Sequence, residues 1–155
     1  MNLKQLINKS SYGTIGYIGS ESDLIKTDKY FAYNKEVINN FAYIIIATNF
    51  DSEEYINAHT LMCKHHFPNC IILNSTNNRG HNFGTADLDN ILFNYCKENN
   101  IEWLCKSAND MIIHSELLDK EIGEADFYYL NGIGYGGMIK YNFDLNRIIN
   151  EEFYP

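Results

Sequence analysis

From Ala42 onward the chain alternates short apolar runs with longer amphipathic stretches. Ala42-Tyr43-Ile44-Ile45-Ile46-Ala47 is a continuous β-branched run, which predicts a strand buried on both faces of a parallel sheet. It ends at Thr48-Asn49-Phe50-Asp51-Ser52, where Asp51 or Ser52 can cap a helix that carries Glu53 and Glu54 in its first turn. That helix is expected to run to about His65 and to stop before Pro68. Cys70-Ile71-Ile72-Leu73 predicts a second buried strand, followed by a polar loop from Asn74 to Gly84. Thr85 to Asn99 reads as a helix whose apolar face is Ala86, Leu88, Ile91, Leu92, Tyr95 and Cys96. Glu102-Trp103-Leu104-Cys105 predicts a third strand that ends at Ser107-Ala108-Asn109-Asp110.

Either side of this core the pattern is weaker. Over residues 1–40 it gives a short strand at Thr14 to Ile18, a polar loop from Gly19 to Asp28 and a short helix from Asn34 to Asn40. Beyond Asp110 it gives a short helix from His114 to Ile122 and a fourth strand from Asp126 to Leu130. A Gly-rich stretch, Asn131 to Gly137, leads to a strand near Met138 to Tyr141 and a last helix from Asp144. The alternation predicts one α/β domain of three layers, α/β/α, around a mainly parallel sheet with right-handed crossovers. Ligands of such sheets bind beyond the carboxyl ends of the strands, where Thr48-Asn49, Asn74-Ser75 and Asn109-Asp110 all fall.

Composition narrows the partners. The 155 residues suit a single domain, and 45% hydrophobic with 21% charged residues argues against disorder. A net charge of −8 with scattered Lys and Arg disfavours nucleic acid. It leaves room for a diphosphate if a divalent cation stands between two negative partners. The run Phe41 to Ala47 is far short of the ~20 residues that span a bilayer. Met1 to Ser11 has no apolar stretch of signal-peptide length, so the expectation is a cytoplasmic protein without a transmembrane segment. Four cysteines in apolar settings do not read as a disulfide framework.

The informative stretch is Asn82 to Ile113, NFGTADLDNILFNYCKENNIEWLCKSANDMII. It carries Asn82-x-Gly84, a helix Asn at Asn90, a strand opening on Glu102-Trp103, and Ala108-Asn109-Asp110 at the strand end. In this order and spacing it resembles the core of GT-A glycosyltransferases, particularly the bacterial rhamnosyltransferase-like inverting group, over roughly residues 41–130. The resemblance implies transfer of a sugar from a nucleotide-diphosphate sugar to an acceptor hydroxyl, with a glycan or lipid-linked molecule as acceptor. It also implies Mn²⁺ or Mg²⁺ held at Asp110, and a donor pocket built from Thr48, Asn49, Asn74, Ser75, Arg79, Asn82, Gly84 and Asn109. Physical chemistry supplies a reason: a divalent cation neutralises the charge that builds on the departing diphosphate, and such hard cations take oxygen ligands. The chain departs from the family at Ala108 and Asn109, which leave one carboxylate where the pattern has more, and at Asn74, where the family places an Asp that reads base and ribose. An amide there both donates and accepts, so it can still read a pyrimidine edge. Arg79 can fork onto a phosphate or serve as an ordinary surface Arg, and the bland reading of Asp110 is a helix cap or solvated loop carboxylate.

Other clusters carry less. His59, Cys63 and His66 share helical spacing, with His65 and Cys70 nearby, but the set matches no zinc-site spacing. Gly132, Gly134, Gly136 and Gly137 lack the following helix of a dinucleotide fingerprint, although Tyr135 could stack on a sugar. An inverting transferase needs a general base. The carboxylates available beyond the motif are Asp126, Asp144, Glu151 and Glu152, between which the sequence does not choose. The acceptor half is expected to be short or missing. The alternative function is therefore a non-catalytic nucleotide-sugar-binding module, or a degenerate, truncated form of the transferase domain. A nucleotidyltransferase ranks last, because Asn49-Phe50-Asp51 is not a Gly-rich phosphate loop.

Overall fold

The computed structural model describes residues 2–113 and 115–124, together with the backbone of 127–129 and 137–140. Six strands form one sheet in the order β3-β2-β1-β4-β6-β5. The strands are β1 (Ser11–Ile18), β2 (Tyr43–Phe50), β3 (Ile71–Ser75), β4 (Trp103–Ala108), β5 (Phe127–Tyr129) and β6 (Gly137–Lys140). The first four are mutually parallel, while β6 pairs antiparallel with both β4 and β5. Helices α1 (Leu3–Ile7), α2 (Glu21–Ile38), α3 (Ile56–His66) and α4 (Gly80–Glu98) connect or flank them.

Side chains alternate along each parallel strand, and this sorts the core into two halves. Tyr12, Ile46, Trp103 and Cys105 join Leu3, Leu6, Phe31, Ile38, Cys63 and Phe67 from α1, α2, α3 and the turn after α3 on one face. Ile15, Ile45, Ala47 and Leu104 join Leu88, Leu92, Phe93 and Cys96 of α4 on the other. The α/β/α layering follows from strand order. The chain steps outward from β1 to β2 to β3 over α2 and α3, then reverses through α4 to reach β4 on the far side of β1. With right-handed crossovers, that reversal puts α4 on the opposite face.

The amino-terminal third is more regular than its pattern suggests. In place of a short strand, β1 runs from Ser11 to Ile18 and lies between β2 and β4 at the centre of the parallel group. In place of a loop and a short helix there is one 18-residue helix, α2, capped by Ser20, whose hydroxyl accepts from the Asp23 amide. Its buried stripe is Thr27, Phe31, Asn34, Val37 and Ile38. The two polar members break the apolar period that would have revealed it. The loop expected before Thr85 is already helix from Gly80, so Asn82 and Gly84 belong to α4. The helix expected from His114 to Ile122 is a 3₁₀ segment, Ser115–Asp119. The fourth strand expected at Asp126 to Leu130 is β5, an edge strand paired antiparallel to β6. The helix expected from Asp144 lies outside the described residues, as do Gly132, Gly134, Gly136 and Tyr135. Among the described residues no helix is long and apolar enough to cross a membrane.

Candidate functional site

The carboxyl ends of β1 and β4 are where the strand order reverses, and a crevice opens between connections that leave in opposite directions. A cavity of about 420 Å³ sits there, lined by Ile15, Gly16 and Tyr17 of β1, Asn49 of β2, Asn78 before α4, Gly80, His81, Gly84, Thr85 and Leu88 of α4, and Ala108, Asn109 and Asp110 at the end of β4.

The position of Asp110 is set by its neighbours. The Asn109 amide N–H donates to the Ile15 carbonyl at 2.9 Å, and its side-chain Nδ2 donates to Thr27 Oγ1 at 3.0 Å. Asn34 Nδ2 donates to the Met111 carbonyl, and Asn34 Oδ1 accepts from the Ile113 amide at 2.8 Å. The two buried polar residues of α2 therefore hold the segment on both sides of Asp110, which leaves its own carboxylate exposed at the cavity rim. Gly16 makes room for this clamp: a Cβ there would lie 2.3 Å from Asn109 Nδ2.

Across the cavity, α4 begins against the end of β2. Asn49 is 3% exposed, and its Nδ2 donates to the Gly84 carbonyl at 3.3 Å. A Cβ on Gly84 would come 3.2 Å from that nitrogen and 3.0 Å from Asn78 Oδ1, so a larger residue would have to push the Asn49 and Asn78 side chains back by a few tenths of an ångström. The Asn49 side-chain oxygen, Oδ1, is buried without a hydrogen-bond partner. An orphaned buried acceptor costs about 1–3 kcal/mol, a cost that a ligand donor can relieve. No acidic residue stands in the first turn of α4. By contrast, Glu21 and Asp23 open α2, and Glu53 and Glu54 form the 3₁₀ turn that precedes α3. First-turn amides have no partners within a helix and carry the positive end of its dipole, so the start of α4 favours an anion.

Of the two cap candidates, Asp51 and Ser52, Asp51 ties the rim together instead. The Tyr17 hydroxyl donates to one of its oxygens and Asn78 Nδ2 to the other, at 3.1 Å for the second. Both bonds favour the carboxylate and hold Asp51 below the usual range, while the same contact raises the Tyr17 phenol. Asn78 in turn accepts from the Gly80 amide at 3.1 Å. The chain Tyr17–Asp51–Asn78–Gly80 thus links β1, the turn after β2 and the start of α4. Ser52 provides the cap, accepting from the Glu54 amide.

Of the residues singled out from sequence, Asn49, Gly84, Asn109 and Asp110 line the cavity. Thr48 is buried and does not line it; its side chain turns to α3, with the hydroxyl 3.3 Å from His59 Nε2. Asn74 and Ser75 lie on the edge strand β3, and Asn82 is exposed on the first turn of α4; none of the three lines the cavity. Arg79 is engaged with Asp87, to which Nε donates at 2.8 Å and Nη2 at 2.5 Å, and its guanidinium stacks 5.3 Å from the Phe83 ring. The candidate bases Asp126, Asp144, Glu151 and Glu152 lie outside the described residues. Sequence reasoning missed Tyr17, Asn78 and His81. Tyr17 lies within the strand expected at Thr14 to Ile18, near its carboxyl end, and was missed because that end was not counted among the strand ends of the rim.

A divalent cation at this rim fits the donors in one way. Among the described residues no three His, Cys, Asp or Glu side chains form a group that could hold a metal. Asp110 would supply a single carboxylate, with ligand phosphates and water completing the shell, a mode in which Mg²⁺ commonly binds. His59 and Cys63 are both buried, with Sγ 3.6 Å from Nε2; burial pushes the thiol up and holds His59 down at about 4, so this pair stays neutral. No protein-family model matches the chain, and no curated protein matches it either.

Proposed function

We propose that the chain is a glycosyltransferase-type domain of GT-A character, which binds a nucleotide-diphosphate sugar in the cavity between β1 and β4 with Asp110 on a divalent cation. The observation that carries this reading is the placement of one cavity between the first turn of α4, which has no acidic residue, and Asp110, whose flanking residues are held in place. A diphosphate suits that interval, since helix amides meet its oxygens on one side and a cation held by Asp110 meets them on the other. The orphaned Asn49 Oδ1 gives the nucleoside end an acceptor for an N–H or O–H donor such as a pyrimidine imide. When bound, Mn²⁺ or Mg²⁺ neutralises the charge on the leaving diphosphate. The α/β/α layers and the parallel group β3-β2-β1-β4 agree with the fold that the resemblance implies.

Isothermal calorimetry with UDP and dTDP, with and without Mn²⁺, tests the reading. Binding is expected to strengthen at least tenfold with Mn²⁺, and Asp110→Ala is expected to remove that gain. Asn49→Leu should weaken binding in both conditions while the chain remains folded. Absence of heat at millimolar nucleotide, with Asp110→Ala behaving as the parent, would sink the proposal. Ala108, which puts a methyl group on the cavity wall where the resembling family has an acidic or amide group, favours a second reading: a binding module without transfer. Nucleotide binding without hydrolysis or transfer of UDP-sugars would select it.

A further inference from the structure

The cavity between β1 and β4 is short of positive charge. Arg79 beside it is committed to Asp87, and Lys106 of β4 is committed to Asp89. The carboxylate of Asp110 belongs to the wall, and that of Asp51 stands at the rim between Tyr17 and Asn78. Among the described residues, His81 is the only basic residue that lines the cavity. It is the second residue of α4, and its backbone is fixed on both sides. The Gly80 amide donates to Asn78 Oδ1 at 3.1 Å, and the Thr85 hydroxyl donates to the His81 carbonyl at 2.6 Å. His81 is exposed, and among the described residues its imidazole has no hydrogen-bond partner. That the cavity takes a ligand is indicated separately by Asn49 Oδ1, a buried acceptor on its wall that lacks a donor.

We infer that His81 couples occupancy of this cavity to a proton: as an imidazolium it pairs with the ligand's phosphates, and as a neutral ring it leaves them to the helix amides and to the cation at Asp110. The inference rests on the diphosphate reading of the same cavity. A cation at the positive end of a helix is unfavourable alone, and an anion beside it removes that penalty, so proton and anion promote each other's binding. Imidazole is the side chain that ordinarily changes charge between pH 5 and 8. The other ionisable groups around the cavity do not compete for this role. The bond between Tyr17 and Asp51 raises the phenol and lowers the carboxyl, and Arg79 lowers the Asp87 carboxyl. Asp110 completes the set, and carboxyl groups as a class titrate below this interval.

The test is calorimetric titration of the full chain with UDP-glucose, in EDTA, at pH 6 and at pH 8. Both phosphates of this ligand are esterified, so its own charge is constant, whereas the terminal phosphate of UDP titrates at about pH 6 and would mimic the effect. The parent is expected to bind about fivefold more tightly at pH 6 than at pH 8, the order expected of one imidazolium–phosphate contact. His81→Gln should bind equally at both, near the parent's level at pH 8. His81→Lys should also bind equally at both, near the parent's level at pH 6. Position 81 is exposed, and circular dichroism at each pH checks that the variants are folded. A pH response that His81→Gln retains would overturn the role of His81. So would metal-free binding no tighter at pH 6 than at pH 8 while Mn²⁺ still supports binding. No binding of UDP-glucose at either pH, with or without Mn²⁺, would remove the nucleotide-sugar reading and this inference with it.

Discussion

Asp89→Ala is expected to destabilise the fold by about 3–5 kcal/mol. Asp89 sits on α4 at zero exposure, and its Oδ2 accepts from Lys106 Nζ of β4 at 2.7 Å. The Lys106 side chain is itself only 15% exposed. Removing one partner strands a charge between helix and sheet, and its desolvation is then uncompensated. Replacing both partners together, as Asp89→Leu with Lys106→Met, should restore most of the loss, because two apolar side chains carry no such penalty. Urea unfolding followed by circular dichroism reads both. Equal midpoints for Asp89→Ala and the parent would show that the pair contributes nothing. The pair also matters to the site, since Leu88, the residue before Asp89, and Ala108, two residues beyond Lys106, both line the first cavity.

The second large effect is a dependence on pH centred on His59. Burial holds its folded pKa down at about 4, against 6.5 for the free side chain, with Thr48 Oγ1 at 3.3 Å and the Phe50 ring edge-on at 5.2 Å. Between these two values the unfolded chain binds the proton and the folded chain does not. Stability should therefore be flat above pH 6.5 and fall as pH drops towards 4, by on the order of 3 kcal/mol from this group alone. Exposed carboxylates add an acid dependence of their own, so the discriminating variant is His59→Gln, which retains a partner for Thr48. Its stability should decline much less over the same interval. Parallel curves for parent and variant would mean that His59 does not titrate as its burial requires.

How legible the molecule was differed along the chain for identifiable reasons. The run at Ile44 to Ala47 and the helix face at Leu88, Leu92 and Cys96 were plain, because burial on both sides of a parallel strand leaves only apolar residues. Strand β1 was legible only over Thr14 to Ile18; its opening, Ser11 to Gly13, was not, since Gly13 depresses β-propensity while serving a close contact: a Cβ there would lie 2.7 Å from Leu104 Cδ1. Only the last part of helix α2 was read, from Asn34 on; the rest was masked by Thr27 and Asn34, whose polarity is spent on Asn109, Met111 and Ile113. The residues that erased the helical period are the ones that fix Asp110. Asp110, Asn109, Asn49 and Gly84 were found because they stand at strand ends or in the Asn-x-Gly motif. Their shared cavity was not readable, because it depends on β1 lying between β2 and β4. Asp89 gave no signal at all, since an Asp on a helix is ordinarily solvated.

The most direct test of the account is a crystal structure of the chain grown with UDP and Mn²⁺. The account predicts a manganese anomalous peak roughly 2.1 Å from an Asp110 carboxylate oxygen, the diphosphate against the first turn of α4, and a base donor facing Asn49 Oδ1. Ordered nucleotide elsewhere on the molecule, or manganese held by other carboxylates while the cavity between β1 and β4 contains only water, would contradict it.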